Sequence, residues 1–328
     1  CSARMPLARN VRFFKTAEEA QTAGFRACKR CNPGIEGVFE TRLPLPPYFD
    51  FPWVLEFLRM RAVPGIEEII EGVYKRSLRV QGTPITLEIK GNSRFLGARV
   101  AGNIDKTVAN LLLKRMFDCD AVVNDFHAAV NSDPFMRKLA GLRPGIRLPV
   151  YVDPFEGVIR AVLGQQVSLA AARTMAGRLV CKLGGYAPLG FRLFPAADVL
   201  ANASVEALRK IGLTNAKVKT IRTMAEAVAT GLLNFDKLQN APAEIAQQIL
   251  QSFSGIGPWT ASYIRMRVLG DRDAFPASDL GVIKALNETD VKAIEKRSLA
   301  WRPWRAYATL HLWNSLATQT VEKEKLKC

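Results

Sequence analysis

The stretch that most constrains this chain is residues 252–286, SFSGIGPWTASYIRMRVLGDRDAFPASDLGVIKAL. A helical pattern over 244–251, apolar at Ile245, Ile249 and Leu250, runs into Gly255-Ile256-Gly257. Pro258 then stands in the first turn of a new helix, where no N–H is needed. Two glycines let the backbone pass close to a ligand, and the amides opening the next helix can face an anion. After a second loop, Phe275-Pro276-Ala277-Ser278, comes Asp279. Taken alone, a GxG turn is an ordinary corner between helices, and an aspartate at that place is an ordinary helix cap.

Charge narrows the partner. The 328 residues carry a net charge of +16, and such an excess favours a polyanion, because phosphates release counterions when cations bind them. Basicity alone does not separate DNA from RNA or an anionic membrane surface. No apolar run reaches membrane-spanning length and no signal peptide opens the chain, so the expectation is a cytoplasmic protein with no membrane partner. Of six cysteines only Cys28 and Cys31 are close together, which favours a reducing compartment and a metal site over a disulfide framework.

The chain begins at Cys1 without an initiator Met, so an upstream segment is expected. Cys28-Lys29-Arg30-Cys31 has the spacing of a zinc knuckle, with a redox pair as the rival reading. Its context, RNVRFF followed by EAQTAGFRACKRCNP, resembles the N-terminal zinc module of the Ada-type methyl-phosphotriester-repair proteins. That resemblance implies a partial module over residues 1–40 with Cys1, Cys28 and Cys31 as zinc ligands. It places the first ligand, also the methyl acceptor, before Cys1. The AraC-type region that follows the module in that family has no counterpart behind Pro33.

Pro44, Pro46, Pro47 and Pro52 mark an extended linker and turn. A helix over 53–62 with Trp53, Phe57 and Met60 about a turn apart comes next. Alternating runs Leu78/Val80, Ile85/Leu87/Ile89 and Leu96/Ala98/Val100, punctuated by glycines, predict antiparallel strands. Asp105 caps a helix that places Val108, Leu111, Leu112 and Met116 on one face. Residues 44–123 therefore read as an α+β domain with a small antiparallel sheet. From Asp125 the pattern is helical, through a segment opened by Asp153-Pro154 and others opened by Ser168, Ser204 and Asn215, to a last helix over 305–317. Residues 124–318 form this region, and 319–328 read as a charged, solvated tail. Cys119 and Cys181 read as small core residues, and His127 and His311 as structural.

The strings YFDFPWVLEFLRMRAVPGIE, LRPGIRLPVYVDPFEGVIRAVLGQQVSLAAA, SFSGIGPWTASY, FPASDLG and WRPWRAYATLHLW recur in order. They resemble AlkA-type 3-methyladenine DNA glycosylases, of the helix-hairpin-helix DNA glycosylase superfamily, over roughly residues 44–318. The resemblance implies a mainly α fold with an α+β N-terminal domain. It makes Asp279 the catalytic aspartate, and Phe57, Trp259, Tyr263 and Trp313 the pocket for an alkylated base. Gly255 and Gly257 would hold backbone phosphate, and the carbonyls of Gln251, Phe253 and Ile256 a monovalent cation. Gln166 would be the side chain that fills the gap left by a flipped base, where related enzymes can carry Leu.

The chemistry is consistent with those roles. Breaking an N-glycosidic bond builds positive charge on the sugar, which a carboxylate near C1′ stabilises, and that carboxylate can also orient water. Aromatic faces hold electron-poor alkylpurines by stacking and cation–π attraction; core packing is the ordinary alternative for any one of these rings. Members that also cleave the backbone use a hairpin lysine as nucleophile. Here Trp259 occupies that position and no lysine lies between Gly255 and Asp279. The expectation is a monomeric, monofunctional glycosylase acting on double-stranded DNA with alkylated bases. The alternatives are a non-catalytic DNA-binding alkylation sensor and an oxidised-base glycosylase with lyase activity.

Overall fold

The computed structural model describes residues 37–325, together with residues 19 and 22–24, and side chains as far as residue 317. The zinc assignment to Cys1, Cys28 and Cys31 lies outside the described residues. Five strands form one antiparallel sheet: β1 (Val38–Pro44), β2 (Glu67–Ile70), β3 (Val73–Val80), β4 (Thr83–Gly91) and β5 (Phe95–Ala101), in the order β1-β5-β4-β3-β2. The period-2 pattern sets the register: Leu78 pairs with Ile85, Leu87 with Val100 and Ile89 with Ala98, all buried. On the outer face Glu88 lies opposite both Lys75 and Arg99 and forms ion pairs at 3.3 and 3.0 Å.

β1 was not anticipated from the sequence. It is an edge strand whose partner is β5, so the sheet begins before the proline-rich turn that the sequence reading took as its linker. Helix α1 (Phe51–Arg59) crosses after that turn, capped by Asp50, whose carboxylate accepts from Trp53 N at 2.9 Å. Helix α2 (Lys106–Met116) follows Asp105 as expected, but Leu111 is exposed while Ala109, Leu113 and Met116 are buried. The buried stripe is therefore rotated one residue from the expected one.

The helical region continues with α3 (Val123–Ala129), α4 (Pro134–Leu142), α5 (Pro154–Leu163), α6 (Leu169–Leu183), α7 (Ala197–Ala201), α8 (Val205–Arg209), α9 (Asn215–Ala229) and α10 (Phe235–Gln239). The hairpin is α11 (Ala243–Gln251) and α12 (Pro258–Ile264), the latter passing into a π-helical turn at Arg265–Leu269. Then come α13 (Leu280–Leu286), α14 (Val291–Ser298) and α15 (Arg305–Lys325). The backbone of α15 stays helical past the point where the tail was expected to begin. Cys181 is exposed, because the buried stripe of α6 is Ala176, Leu179 and Val180; the expectation of a core cysteine is corrected there and met at Cys119.

Two apolar cores result, and they do not follow the chain in sequence. One joins the sheet, α1–α4 and the returning residues 266–312; the other is built from Val63, Ile66 and residues 151–269. A buried layer of charge connects them. Glu67 and Arg76 on the sheet meet Glu156 and Arg160 on α5, with Arg76–Glu156 and Arg160–Glu67 both at 2.7 Å and Arg160–Glu156 at 2.8 Å. Tyr74 Oη adds a hydrogen bond to Glu67 at 2.6 Å. Burial opposes charge on Glu67, yet Arg160 and Arg76 hold its carboxyl below the usual range. Burial dominates at Glu156 and pushes its carboxyl up.

Candidate active site at the seam of the two cores

Asp279 is the N-cap of α13, and its Oδ1 accepts from Gly281 N at 2.9 Å and Val282 N at 3.2 Å. It is more than a cap. Trp313 Nε1, from α15, donates to Oδ1 at 2.8 Å, and Trp259 Nε1, from α12, donates to Oδ2 at 2.9 Å. Each carboxylate oxygen has about two lone-pair sites. Oδ1 is therefore fully used by its three donors, while Oδ2 keeps one direction free. Gly281 makes this approach possible: a Cβ there would stand 2.7 Å from the Trp313 ring and 3.0 Å from Asp279 Oδ1.

The aromatic residues expected at the pocket are brought together. Trp259 and Tyr263, one turn apart on α12, stack with centroids 5.4 Å apart, and Tyr263 meets Trp313 at 6.4 Å. Trp53 Nε1 donates to Asn314 Oδ1 at 2.9 Å, and Trp53 packs on Phe57 at 5.2 Å, which ties α1 to the helix carrying Trp313. The Tyr263 phenol is buried, which acts to raise its pKa, but Arg267, Arg61 and Arg160 nearby and a hydrogen bond with Tyr151 hold it below its usual value.

The two hairpin glycines differ. Gly255 has φ +89°, and a Cβ there would fall 1.9 Å from Thr220 Oγ1, so both conformation and packing require glycine. Gly257 has φ −83° and open space where its Cβ would be. Its lack of a side chain serves access rather than strain. Phe253 O accepts from Ile256 N at 3.0 Å inside the turn, and Ile256 is buried. The exposed Ile245 and Ile249 of α11 are not part of the core.

Gln166 is exposed in the loop between α5 and α6, with φ +55°. Its neighbour Gln165, which the sequence reading missed, donates to Gly255 O at 2.8 Å and Thr260 Oγ1 at 2.9 Å. That pair of bonds fixes the Gln166 loop to the hairpin. Only the adjacency of two glutamines in a helix-breaking loop could have pointed to it. His311 is buried and stacks on Phe126 at 4.9 Å, with Nδ1 lacking a partner, and His127 packs against the same ring at 5.7 Å. Both histidines pack on Phe126, a residue of the first core. Among the described residues no group of three or more His, Cys, Asp and Glu could hold a metal ion, and no helix is long and apolar enough to cross a membrane.

Comparison with known proteins adds three family matches: the AlkA N-terminal domain over residues 40–153, the HhH-GPD superfamily of base excision DNA repair proteins over 159–298, and the metal binding domain of Ada over 1–34. A Mycobacterium tuberculosis protein described as a probable bifunctional transcriptional activator/DNA repair enzyme AlkA is 37% identical over 292 residues, 85% of this chain and 58% of that one. The chain thus spans little more than half the length of that relative. The Escherichia coli DNA-3-methyladenine glycosylase 2 is 32% identical over 286 residues, 84% of this chain and 97% of the other. The solved 3-methyladenine DNA-glycosylase of Archaeoglobus fulgidus superposes with a TM-score of 0.72 at 23% identity, covering 83% of this chain and 97% of that one.

Proposed function

We propose that this chain, which belongs to the AlkA-type HhH-GPD superfamily of base excision DNA repair proteins, is a monofunctional glycosylase that releases alkylated bases such as 3-methyladenine from double-stranded DNA. The observation that carries this reading is the Asp279 carboxylate, fixed by the indoles of Trp259 and Trp313 beside stacked aromatic rings, with one direction at Oδ2 left free.

In this reading a damaged nucleotide is rotated out of the duplex and its base lies against Trp259, Tyr263, Trp313 and Phe57, while Gln166 fills the space left behind. As the glycosidic bond lengthens, Asp279 Oδ2 stabilises the positive charge gathering on the sugar and orients a water toward C1′. Four hydrogen bonds pre-set the carboxylate, so it needs little rearrangement during the reaction. Trp259 stands where a Schiff-base lysine would be needed, which supports hydrolysis without strand cleavage. The open side of Gly257 and the amides around Gly255 receive backbone phosphate. The carbonyls of Gln251, Phe253 and Ile256 are assigned to a monovalent cation bridging to that phosphate. Zinc at Cys1, Cys28 and Cys31 is proposed on the Ada match alone. A monomer in the bacterial cytoplasm completes the reading.

The test is Asp279→Asn. Single-turnover release of 3-methyladenine should fall by roughly two to four powers of ten, as for loss of one charged transition-state contact. The substitution is not silent for the fold. An amide that keeps its oxygen on Gly281, Val282 and Trp313 turns its NH₂ toward the Trp259 N–H, a donor facing a donor, at a cost of about 1–2 kcal/mol. DNA affinity, read by gel shift, should hold or rise because a carboxylate near phosphate is gone. Excision at the wild-type rate would make Asp279 a cap and nothing more.

A further inference from the structure

The buried layer of charge between the two cores holds more cation than its own carboxylates balance. A cavity of about 10 Å³, room for one occupant the size of a water molecule, lies inside it. Its charged lining is Arg61, Arg76, Arg160 and Arg267 against a single carboxylate, Glu67. Glu67 is already committed. Its Oε2 accepts from Arg160 at 2.7 Å and from Val63 N at 2.9 Å, and its Oε1 accepts from Tyr74 Oη at 2.6 Å, with Arg76 Nη1 at 3.8 Å. Glu156, the other carboxylate of the layer, pairs with Arg76 at 2.7 Å and Arg160 at 2.8 Å. Two carboxylates thus serve Arg76 and Arg160, while Arg61 and Arg267 pair with none among the described residues. Arg61 Nη1 donates to Phe57 O at 3.1 Å and Arg267 Nε to Pro149 O at 2.6 Å, both of them uncharged acceptors. Two lining guanidiniums also keep an N–H without an acceptor in the protein: Arg76 Nε, on a residue 3% exposed, and Arg267 Nη1, on a residue 2% exposed. Burial, together with the like charges of Arg267 and Arg160, lowers the Arg61 pKa to about 10, partly offset by Tyr263 and Tyr151, which leaves it charged at neutral pH.

A buried charge left without a counter-charge is strongly destabilising. Water in this cavity accepts from the idle N–H groups but leaves the excess charge as it is. A monatomic anion does both. Sulfate, phosphate or a carboxylate ligand has several heavy atoms and needs more than the volume of one water. We infer that the cavity is a halide site, which takes one chloride between Arg76 and Arg267 with Arg61 beside it, and that this ion completes the charged layer joining the two cores. Arg76 belongs to β3 and Arg267 to the π-helical turn behind α12. The ion therefore links the sheet to the turn that follows the hairpin. Glu67 does not cancel the attraction, since one carboxylate stands against four guanidiniums. The inference is independent of the glycosylase reading, and its test needs no DNA.

The experiment follows thermal unfolding of the full chain at constant ionic strength while potassium chloride replaces potassium methanesulfonate, whose anion is too large for the cavity. The wild-type Tm should rise by about 2–5 °C as chloride reaches about 0.2 M, and bromide should act in the same way. Arg267→Met keeps the apolar stem but removes a donor and a surplus charge, so its chloride-dependent rise should fall below about 1 °C. General salt effects act on both proteins alike and cancel in the comparison. A second readout needs no variant: wild-type crystals grown in bromide, measured at the bromine absorption edge, should show an anomalous peak between Arg76 and Arg267. If Arg267→Met does not fold, that map alone decides. An equal chloride response in wild type and Arg267→Met, or a bromide map with no peak in this cavity, overturns the inference. So does phenolate absorbance at neutral pH that vanishes in Tyr263→Phe, because that ring, centred 6.0 Å from Arg267 Cζ, then supplies the missing negative charge.

Discussion

Replacing each hairpin glycine by alanine should give opposite results. At Gly255 the backbone sits at φ +89°, where a Cβ costs about 1–2 kcal/mol. The new methyl also falls 1.9 Å from Thr220 Oγ1 and 3.0 Å from its Cβ, and accommodating such overpacking costs about 1–3 kcal/mol more. Gly255→Ala should therefore lose about 2–5 kcal/mol in urea denaturation, with DNA affinity falling as the turn is deformed. Thr220→Ala removes the 1.9 Å contact and the hydroxyl's 3.1 Å bonds to Ala216 O and Ser254 O. In that background the Gly255→Ala penalty should shrink by about 1–2 kcal/mol, a coupling that a double-mutant cycle isolates. Gly257→Ala meets no atom within 4 Å, so stability should stay within about 0.5 kcal/mol of wild type. Its methyl stands where phosphate would approach, so gel-shift affinity should drop. A Gly255→Ala protein as stable as wild type, or a Gly257→Ala protein as unstable as Gly255→Ala, would refute the distinction.

Other outcomes are expected. His311 is held neutral by burial, with its pKa lowered to about 3 and His127 beside it. The unfolded chain binds that proton first, so stability present at neutral pH is lost progressively as pH falls from about 6.5 toward 3. His311→Phe should flatten the slope between about pH 7 and pH 5 in chemical denaturation, and identical slopes would exclude His311 as its source. Arg160→Met leaves Glu67 and Glu156 to share Arg76 alone in the interior, one buried charge in excess, and should cost about 3–5 kcal/mol, whereas a loss under 1 kcal/mol would mean that water reaches the layer. Duplex affinity should fall steeply with salt given the net charge of +16, with a log–log slope of several units negative; a flat titration would argue against phosphate contacts.

The hairpin, the strand alternation and the helix caps were legible because each is a local pattern: glycine and proline at a turn, apolar residues every second position, Asp or Ser ahead of a helix. β1 was not, because its inward positions are Phe39, Thr41 and Leu43, a polar residue interrupting the apolar alternation just ahead of a proline-rich run. Leu111 and Cys181 were misplaced for one reason. Near the border of a buried stripe, periodicity fixes the angle of a helix only to within about one residue. The gathering of Asp279 with Trp259, Tyr263 and Trp313 was implied by the family resemblance alone, and the indole hydrogen bonds that fix the carboxylate were not legible at all. The charged layer was invisible, since Glu67, Arg76, Glu156 and Arg160 look like surface residues until a strand and a helix far apart in the chain bring them together.

The way the two cores share the chain sets an order on synthesis. The second core uses nothing beyond Leu269 and can close while the ribosome is still translating the C-terminal helices. The first needs residues as late as Leu312 to be complete, although its sheet ends at Ala101. Until those late residues emerge, part of that core's Leu, Ile and Val stays uncovered, the kind of surface on which chaperones act. The carboxylate and its two indoles come from both sides of this divide. The reactive centre is therefore the last part of the molecule to exist, and a nascent chain cannot acquire it before α15 has emerged.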